Sequence, residues 1–268
     1  MGFFRAAYCG TIFYFGIERG ERYGRYILNG IYNTEQYAYF HWQVFGLDSW
    51  VLFKWAFLGS ILMASLGIFA RLSLFLSTVF YVLFYYPVSA TLHPYDNNLV
   101  CFILLILSFS PGIEAFSCDF FLRRSKPEPF VPAWPQRLIV FSLGVVYLAA
   151  GTSKLLNTGF SWAEGSILQA YMMERNLLLR SAAIEFVTSK LWLCRILSFS
   201  TMCIELGFLP LSFYRRSWPL LAVMGMSMHV GIYFFFGLNF LRFFCPVYLI
   251  FFNYEWAKQQ WYKLATSK

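Results

Sequence analysis

The sequence predicts an all-α, polytopic transmembrane bundle of about eight spans, with an extracytoplasmic cap segment after the fifth. Three observations carry this. Hydrophobic residues make up 59% of the chain and charged residues only 13%, with a mean hydropathy of +0.56, far from a soluble domain's usual mix. The apolar residues fall in runs long enough to cross a core of roughly 30 Å at about 1.5 Å per residue. The basic residues flank those runs and form no solvated patch. The formal charge of +8 is therefore read as membrane orientation, and nucleic acid is excluded as a partner.

The 268 residues are nearly consumed by apolar runs, so one domain over 1–268 is expected. Phe3 to Ile17 is a short aromatic run followed by ERGERYGR from Glu18, a marginal span. A cleaved signal peptide fits it less well, because there is no A-x-A site and large aromatics stand where small residues should be. Residues 26 to 48 are mixed and are expected to lie along the surface. Ser49 to Ala70 and Leu72 to Thr91 are spans, and HPYDNN, from His93 to Asn98, reads as a turn by its Pro, Asp and Asn residues. Leu99 to Phe109 is apolar and ends at Pro111. The connection from Ser117 to Arg137 carries Arg123, Arg124 and Lys126. Leu138 to Leu155 spans back, Phe160 to Lys190 forms the cap, and Leu191 to Phe213, Pro219 to Phe236 and Asn239 to Tyr254 complete the spans.

With both termini cytoplasmic, the compact basic clusters fall on one side: Arg71, Arg123 to Lys126, Arg215 with Arg216, and the C-terminal lysines. HPYDNN, Lys154 with its cap, and Asn239 then share the extracytoplasmic face. Six scattered cysteines show no CxxC and no paired spacing, so they read as small core residues, and no metal site is expected. The chain has no P-loop, GxGxxG, HExxH or GxSxG, which argues against nucleotide-driven transport, dinucleotide chemistry and familiar hydrolases.

Lys154 is the residue to explain. A lysine at a helix end commonly snorkels, lifting its ammonium to the headgroups. Here the next segment carries Asn157, Trp162 and Glu164, too polar to span and too aromatic for a plain loop, and it folds back over the same helix end. Lys154 is therefore expected to point inward, beneath Trp162, with Glu164 as a possible charge partner. Glu205 and His229 lie within apolar spans, where ionisable residues are expensive and face a partner or a cavity. They stand 11 and 13 residues either side of Arg216, within roughly 3 Å of the same depth on adjacent helices, and are expected to meet directly or through one bound group. A structural clamp and a proton relay are equally open for that pair. His93 and Asp96 are as consistent with turn chemistry as with a site, and Trp162 with an interfacial anchor.

The string YLAAGTSKLLNTGFSWAEG resembles the signature of the HTTM family, the vitamin K-dependent gamma-carboxylase-like membrane proteins: an apolar helix ending in A-G-x-x-K-L with W-x-x-G a few residues on. HPYDNNLVCFILLILSFSPG, IELGFLP and MHVGIYFFFGLNF are similar to the family's polar turn, acidic helix and histidine helix. The order and spacing agree over roughly residues 45 to 255. The resemblance implies that Lys154 is a general base acting on a reduced, vitamin K-like quinone, chemistry open to a lysine where burial disfavours its charged form. His93, on the same face as Lys154, and Glu205 and His229, within the apolar spans, are the further candidate catalytic residues. Asp96, Asn97, Trp162, Glu164 and Asn239 would contact the substrate. The chain lacks the carboxylases' large lumenal part, so carboxylation of a peptide is not expected.

Two function classes fit these residues. One is a membrane enzyme with Lys154 as base on a lipophilic, quinol-like molecule at the outer face; the other is a non-catalytic transporter or an assembly or immunity partner whose buried polar groups are structural. Membrane lipids and a lipophilic small molecule are the expected partners of either.

Overall fold

A computed structural model describes residues 1–28, 49–89, 95–111, 117–119, 132–238 and 240–251. Among these, every regular element is helical. We number the α-helices α1 Gly2–Leu28, α2 Ser49–Leu66, α3 Ala70–Ser89, α4 Tyr95–Phe109, α5 Trp134–Thr158, α6 Ser166–Leu179, α7 Ala182–Thr188, α8 Leu191–Ser212, α9 Trp218–Phe236 and α10 Leu241–Tyr248. Short 3₁₀ turns follow α5 (Gly159–Trp162), precede α9 (Arg215–Ser217) and follow α10 (Leu249–Phe251).

A helix lies at each of the eight predicted spans. Four are long and apolar enough to cross a membrane among the described residues: Ser49–Leu66, Trp134–Trp162, Leu191–Ser212 and Arg215–Phe236. Two shorter apolar helices, Ala70–Tyr85 and Asn98–Phe109, accompany them. Large apolar side chains such as Leu52 and Trp55 on α2, Ile196 and Phe199 on α8, and Val223 and Phe234 on α9 stand exposed. In water they would form an unsustainable apolar surface; against lipid they cost nothing. This is an integral membrane protein with an all-α, polytopic fold.

Eight of these helices form a closed ring. Each packs on its neighbour in the order α1, α2, α3, α4, α5, α8, α9, α10, and α10 returns to α1, where Arg242 of α10 donates to Glu18 of α1 at 2.5 Å. The ring's interior is aromatic and aliphatic, with Phe4, Phe57, Phe84, Ile103, Leu104, Phe208 and Tyr248 fully buried. The start of α1, the α2–α3 turn and the α4–α5 connection meet at one end. Arg5 is buried there and donates to the backbone oxygens of Ala64 and Ser65, capping the C-terminus of α2, and Asp119 Oδ2 accepts from the Phe69 amide at 2.7 Å. A buried guanidinium suits that position because the carbonyl end of a helix is the negative end of its dipole.

One sequence expectation needs correction. Tyr95 to Asn98 open helix α4 instead of forming a turn, since a helix can begin directly after Pro94. Within the span expected at Asn239 to Tyr254, α10 and its 3₁₀ turn fill Leu241–Phe251, and the flanking residues 239 and 252–254 lie outside the described residues. The span expected at Leu191 to Phe213 is helix α8, long and apolar enough over Leu191–Ser212 to cross a membrane. Ser198 is level with Trp162, so the residues before it rise beside the cap.

The cap itself is built from the 3₁₀ turn, α6 and α7, packed against α8, with α6 also touching α9. Gly165 makes the close approach possible. Its φ is +82°, and a Cβ there would strike the backbone of Arg195. Ser198 Oγ donates to the Trp162 carbonyl, Arg195 Nε to the Glu164 carbonyl, and Gln169 to the Thr188 carbonyl at 2.6 Å, which holds α6 to α7.

Candidate functional site

The site grows from the contact between α5 and α8. Gly144 and Gly151 face α8 so closely that a Cβ on Gly151 would lie 2.9 Å from Glu205 Cβ, and one on Gly144 2.8 Å from Leu209. Small residues of this kind let two helix backbones approach within the membrane. Tyr147, Gly151 and Lys154 follow at i, i+4 and i+7, so they form one stripe of α5. On α8 the buried stripe is Ser198, Met202, Glu205 and Phe208.

Lys154 points inward. Its Nζ donates to Glu205 Oε1, and the two side chains are 23% and 5% exposed. The direction follows from helix geometry, because every Cα–Cβ bond tilts toward its own N-terminus. On α5 that tilt carries Lys154 back into the bundle, and on antiparallel α8 it lifts Glu205 toward the cap. The two side chains lean together one helical turn below the end of α5. Trp162 closes the site from above, with Lys154 Nζ 5.4 Å from its ring centroid. Placed there, the ring gains a cation–π contact and screens the pair from water.

Behind the ion pair lies a second polar group. Tyr147 Oη is 2.9 Å from His229 Nε2 and also hydrogen-bonds Tyr248 Oη. The Glu205 carboxylate is within electrostatic range of Tyr147. Tyr147 stacks on Phe208 with centroids 4.3 Å apart and 8° between planes, and His229 stacks on Phe244 at 4.2 Å. These rings fix the polar groups in orientation. Gly225 on α9 leaves room for them: a Cβ there would overlap Tyr248 Oη and lie 2.9 Å from Tyr147 Oη.

Three buried polar atoms around this cluster have no hydrogen-bond partner: Glu205 Oε2, His229 Nδ1 and Trp162 Nε1. Each unsatisfied group of this kind costs about 1–3 kcal/mol, and more when charged. Such groups are few in folded proteins, and among the described residues three of them lie around this one cluster. Beside it an apolar cavity of about 230 Å³ opens between α6, α8 and α9, walled by Ile204 and Met228, the chain neighbours of Glu205 and His229.

The predicted residues are distributed unevenly over this arrangement. Lys154, Trp162, Glu205 and His229 converge on one cluster. Glu205 and His229 do not hydrogen-bond each other; each pairs instead with the α5 stripe, Glu205 with Lys154 and His229 with Tyr147. Glu164 is exposed and Glu205 takes the place expected for it as charge partner. The 3₁₀ turn directs Glu164 away from the roofed side, which explains the exchange. Asp96 and Asn97 lie in the first turn of α4, where only the backbone is described, and His93 and Asn239 are outside the described residues. Tyr147 and Tyr248 were not expected. Tyr147 carried a signal, since it lies seven residues before Lys154 on the same face; Tyr248 had none among 18 tyrosines.

No curated protein and no solved structure matches this sequence. The HTTM domain pattern, however, matches residues 1–256, nearly the whole length. Matched over nearly all of its length, this chain with its apolar helices belongs to the HTTM family of gamma-carboxylase-like integral membrane proteins.

Proposed function

We propose that this protein is a membrane enzyme that removes a proton from the head of a lipophilic, quinol-like substrate, with Lys154 as general base at the extracytoplasmic face and both termini cytoplasmic. The observation that carries the reading is the inward Lys154 held on Glu205 beneath Trp162, next to a buried carboxylate oxygen that has no partner. A bound quinol would supply an acidic hydroxyl and an apolar tail. Glu205 Oε2, His229 Nδ1 and Trp162 Nε1 suit the polar head, and the cavity beside Ile204 and Met228 suits the start of the tail.

The proton bookkeeping uses the pair as a unit. The ion pair and its neutral form, Lys154 amine with Glu205 carboxylic acid, hold the same protons. From the neutral form, Nζ takes the hydroxyl proton of the substrate. The pair then carries one more proton and a charge of +1, opposite the charge left on the substrate. Trp162 and the cap exclude water, which strengthens that attraction. Tyr147 and His229 lie close enough to orient the head and to return a proton.

A transporter would need a polar path onward to the other end. Below Tyr147 the described residues are apolar and buried: Leu143, Ile139, Leu221 and Phe251 close the interior. That favours the enzyme.

The test is reduction of a short-tailed naphthoquinone to its quinol in the presence of protein in lipid nanodiscs, followed by oxygen uptake and quinol absorbance. Wild type should accelerate quinol consumption, and Lys154→Arg should lose about 100-fold or more, because arginine keeps the charge but cannot act as a base. Full activity in Lys154→Arg would end the general-base reading.

A further inference from the structure

We propose that the end of the bundle opposite Lys154 carries a binding site for one anionic phospholipid, between α5, α8 and α9. A cavity of about 560 Å³ opens there, and Trp134, Arg137, Phe141, Phe213, Arg215 and Trp218 line it. From Trp134 to Lys154 the helix rises 20 residues, about 30 Å, so the two sites occupy opposite leaflets.

Four features give the mouth of this cavity a positive character. Arg137 and Arg215 both line it, and among the described residues neither has an acidic partner. The N-termini of α5 and α9 also open onto it, and neither is closed by its N-cap side chain. Ala133 has no capping group, and Ser217 turns its hydroxyl to the carbonyls of Leu211 and Tyr214. The positive ends of two helix dipoles therefore face the same place. The negative end that could oppose them, the C-terminus of α8, is covered: Trp218 Nε1 donates to the Ser212 carbonyl at 2.8 Å and Ser217 Oγ to that of Leu211. Arg137 and Arg215 are the charged side chains among the residues that line this cavity.

The rest of the wall is apolar. Leu138 and Phe141 continue down the lipid-facing side of α5 and Phe213 stands exposed across from them, with Phe141 and Phe213 6.3 Å apart. Arg215 lies 5.8 Å over the Trp218 ring, which holds its guanidinium at the rim. A cationic, donor-rich mouth above an apolar groove fits a phosphodiester headgroup with acyl chains attached. A free phosphate would leave the groove uncovered, and a neutral lipid would leave the arginines without a counter-charge. The site is independent of the proposed enzyme activity and of its substrate.

The experiment reconstitutes the purified protein in nanodiscs of phosphatidylcholine containing one-fifth phosphatidylglycerol and measures, by native mass spectrometry, which lipid stays bound. Wild type should retain phosphatidylglycerol about tenfold above its bulk share, as two arginines at a headgroup allow. Arg137→Gln with Arg215→Gln should return the ratio to bulk, whereas Arg216→Gln, outside the cavity, should leave it unchanged. Retention at the bulk ratio in wild type, or equal loss in Arg216→Gln, overturns the proposal. Should the double variant not fold, wild type decides alone: soluble dihexanoyl-phosphatidylglycerol must raise its melting temperature more than dihexanoyl-phosphatidylcholine does, and equal shifts sink the site.

Discussion

At the scale of single residues, the most consequential feature is a charge pair in which each partner is buried because of the other. Removing one leaves the other without compensation. Glu205→Gln should destabilise the fold by about 1–3 kcal/mol, since a part-buried ammonium loses its partner, whereas Lys154→Met combined with Glu205→Leu should cost less. Unfolding by denaturant titration reads both; equal losses in the two variants would mean that the pair is not coupled. Gly225 offers an independent probe of the second polar group. Gly225→Ala places a methyl where Tyr248 Oη lies and should displace the Tyr147 hydroxyl from His229. Quinol consumption should fall at least about tenfold with little change in melting temperature, and unchanged turnover would show that the Tyr147–His229 contact plays no part.

At the scale of elements, the cap is set by backbone contact more than by side-chain packing. Gly165 stands at φ +82° against the backbone of Arg195, so Gly165→Ala meets both conformational strain and a clash that no side chain can relieve. Proteolysis within 159–190 should become at least about tenfold faster in this variant while the transmembrane helices stay intact. Equal cleavage rates would show that the cap does not depend on this approach. The opposite end has its own device in Arg5, whose guanidinium caps α2 through Ala64 and Ser65. Arg5→Met should cost about 2–4 kcal/mol, because charge-assisted bonds to buried carbonyls are lost together, and a loss within error would refute the capping role.

At the scale of the whole molecule, orientation rests on charge. Arg137, Arg215 and Arg216 stand at one end, and the cap with its interleaved acids and bases at the other. In a background without native cysteines, Ser125→Cys should resist an impermeant thiol reagent applied from outside, and Thr158→Cys should react. Labelling of both from outside would defeat the argument from charge, and labelling of Ser125→Cys alone would reverse the assignment of the site to the extracytoplasmic face. Ser125 itself lies outside the described residues.

The sequence by itself determined the membrane class, the position of each apolar helix and the polar segment after Lys154, and it singled out Lys154, Trp162, Glu205 and His229, which the fold brings to one cluster. These are properties of a residue and its chain neighbours: hydropathy sets the layer, a 1.5 Å rise sets depth, and a 3.6-residue period sets the face. Partner choice is different in kind. Glu205 and His229 do lie on consecutive spans, yet depth leaves the rotation of each helix about its axis free. Only the packing of α5 against α8, drawn close by Gly144 and Gly151, turned Glu205 to Lys154 and left His229 to Tyr147. Tyr248 came to the site by the same route, through closure of the ring from the far end of the chain. Contacts across 51, 82 and 101 residues answer to the shape of the whole bundle, and no local pattern encodes them.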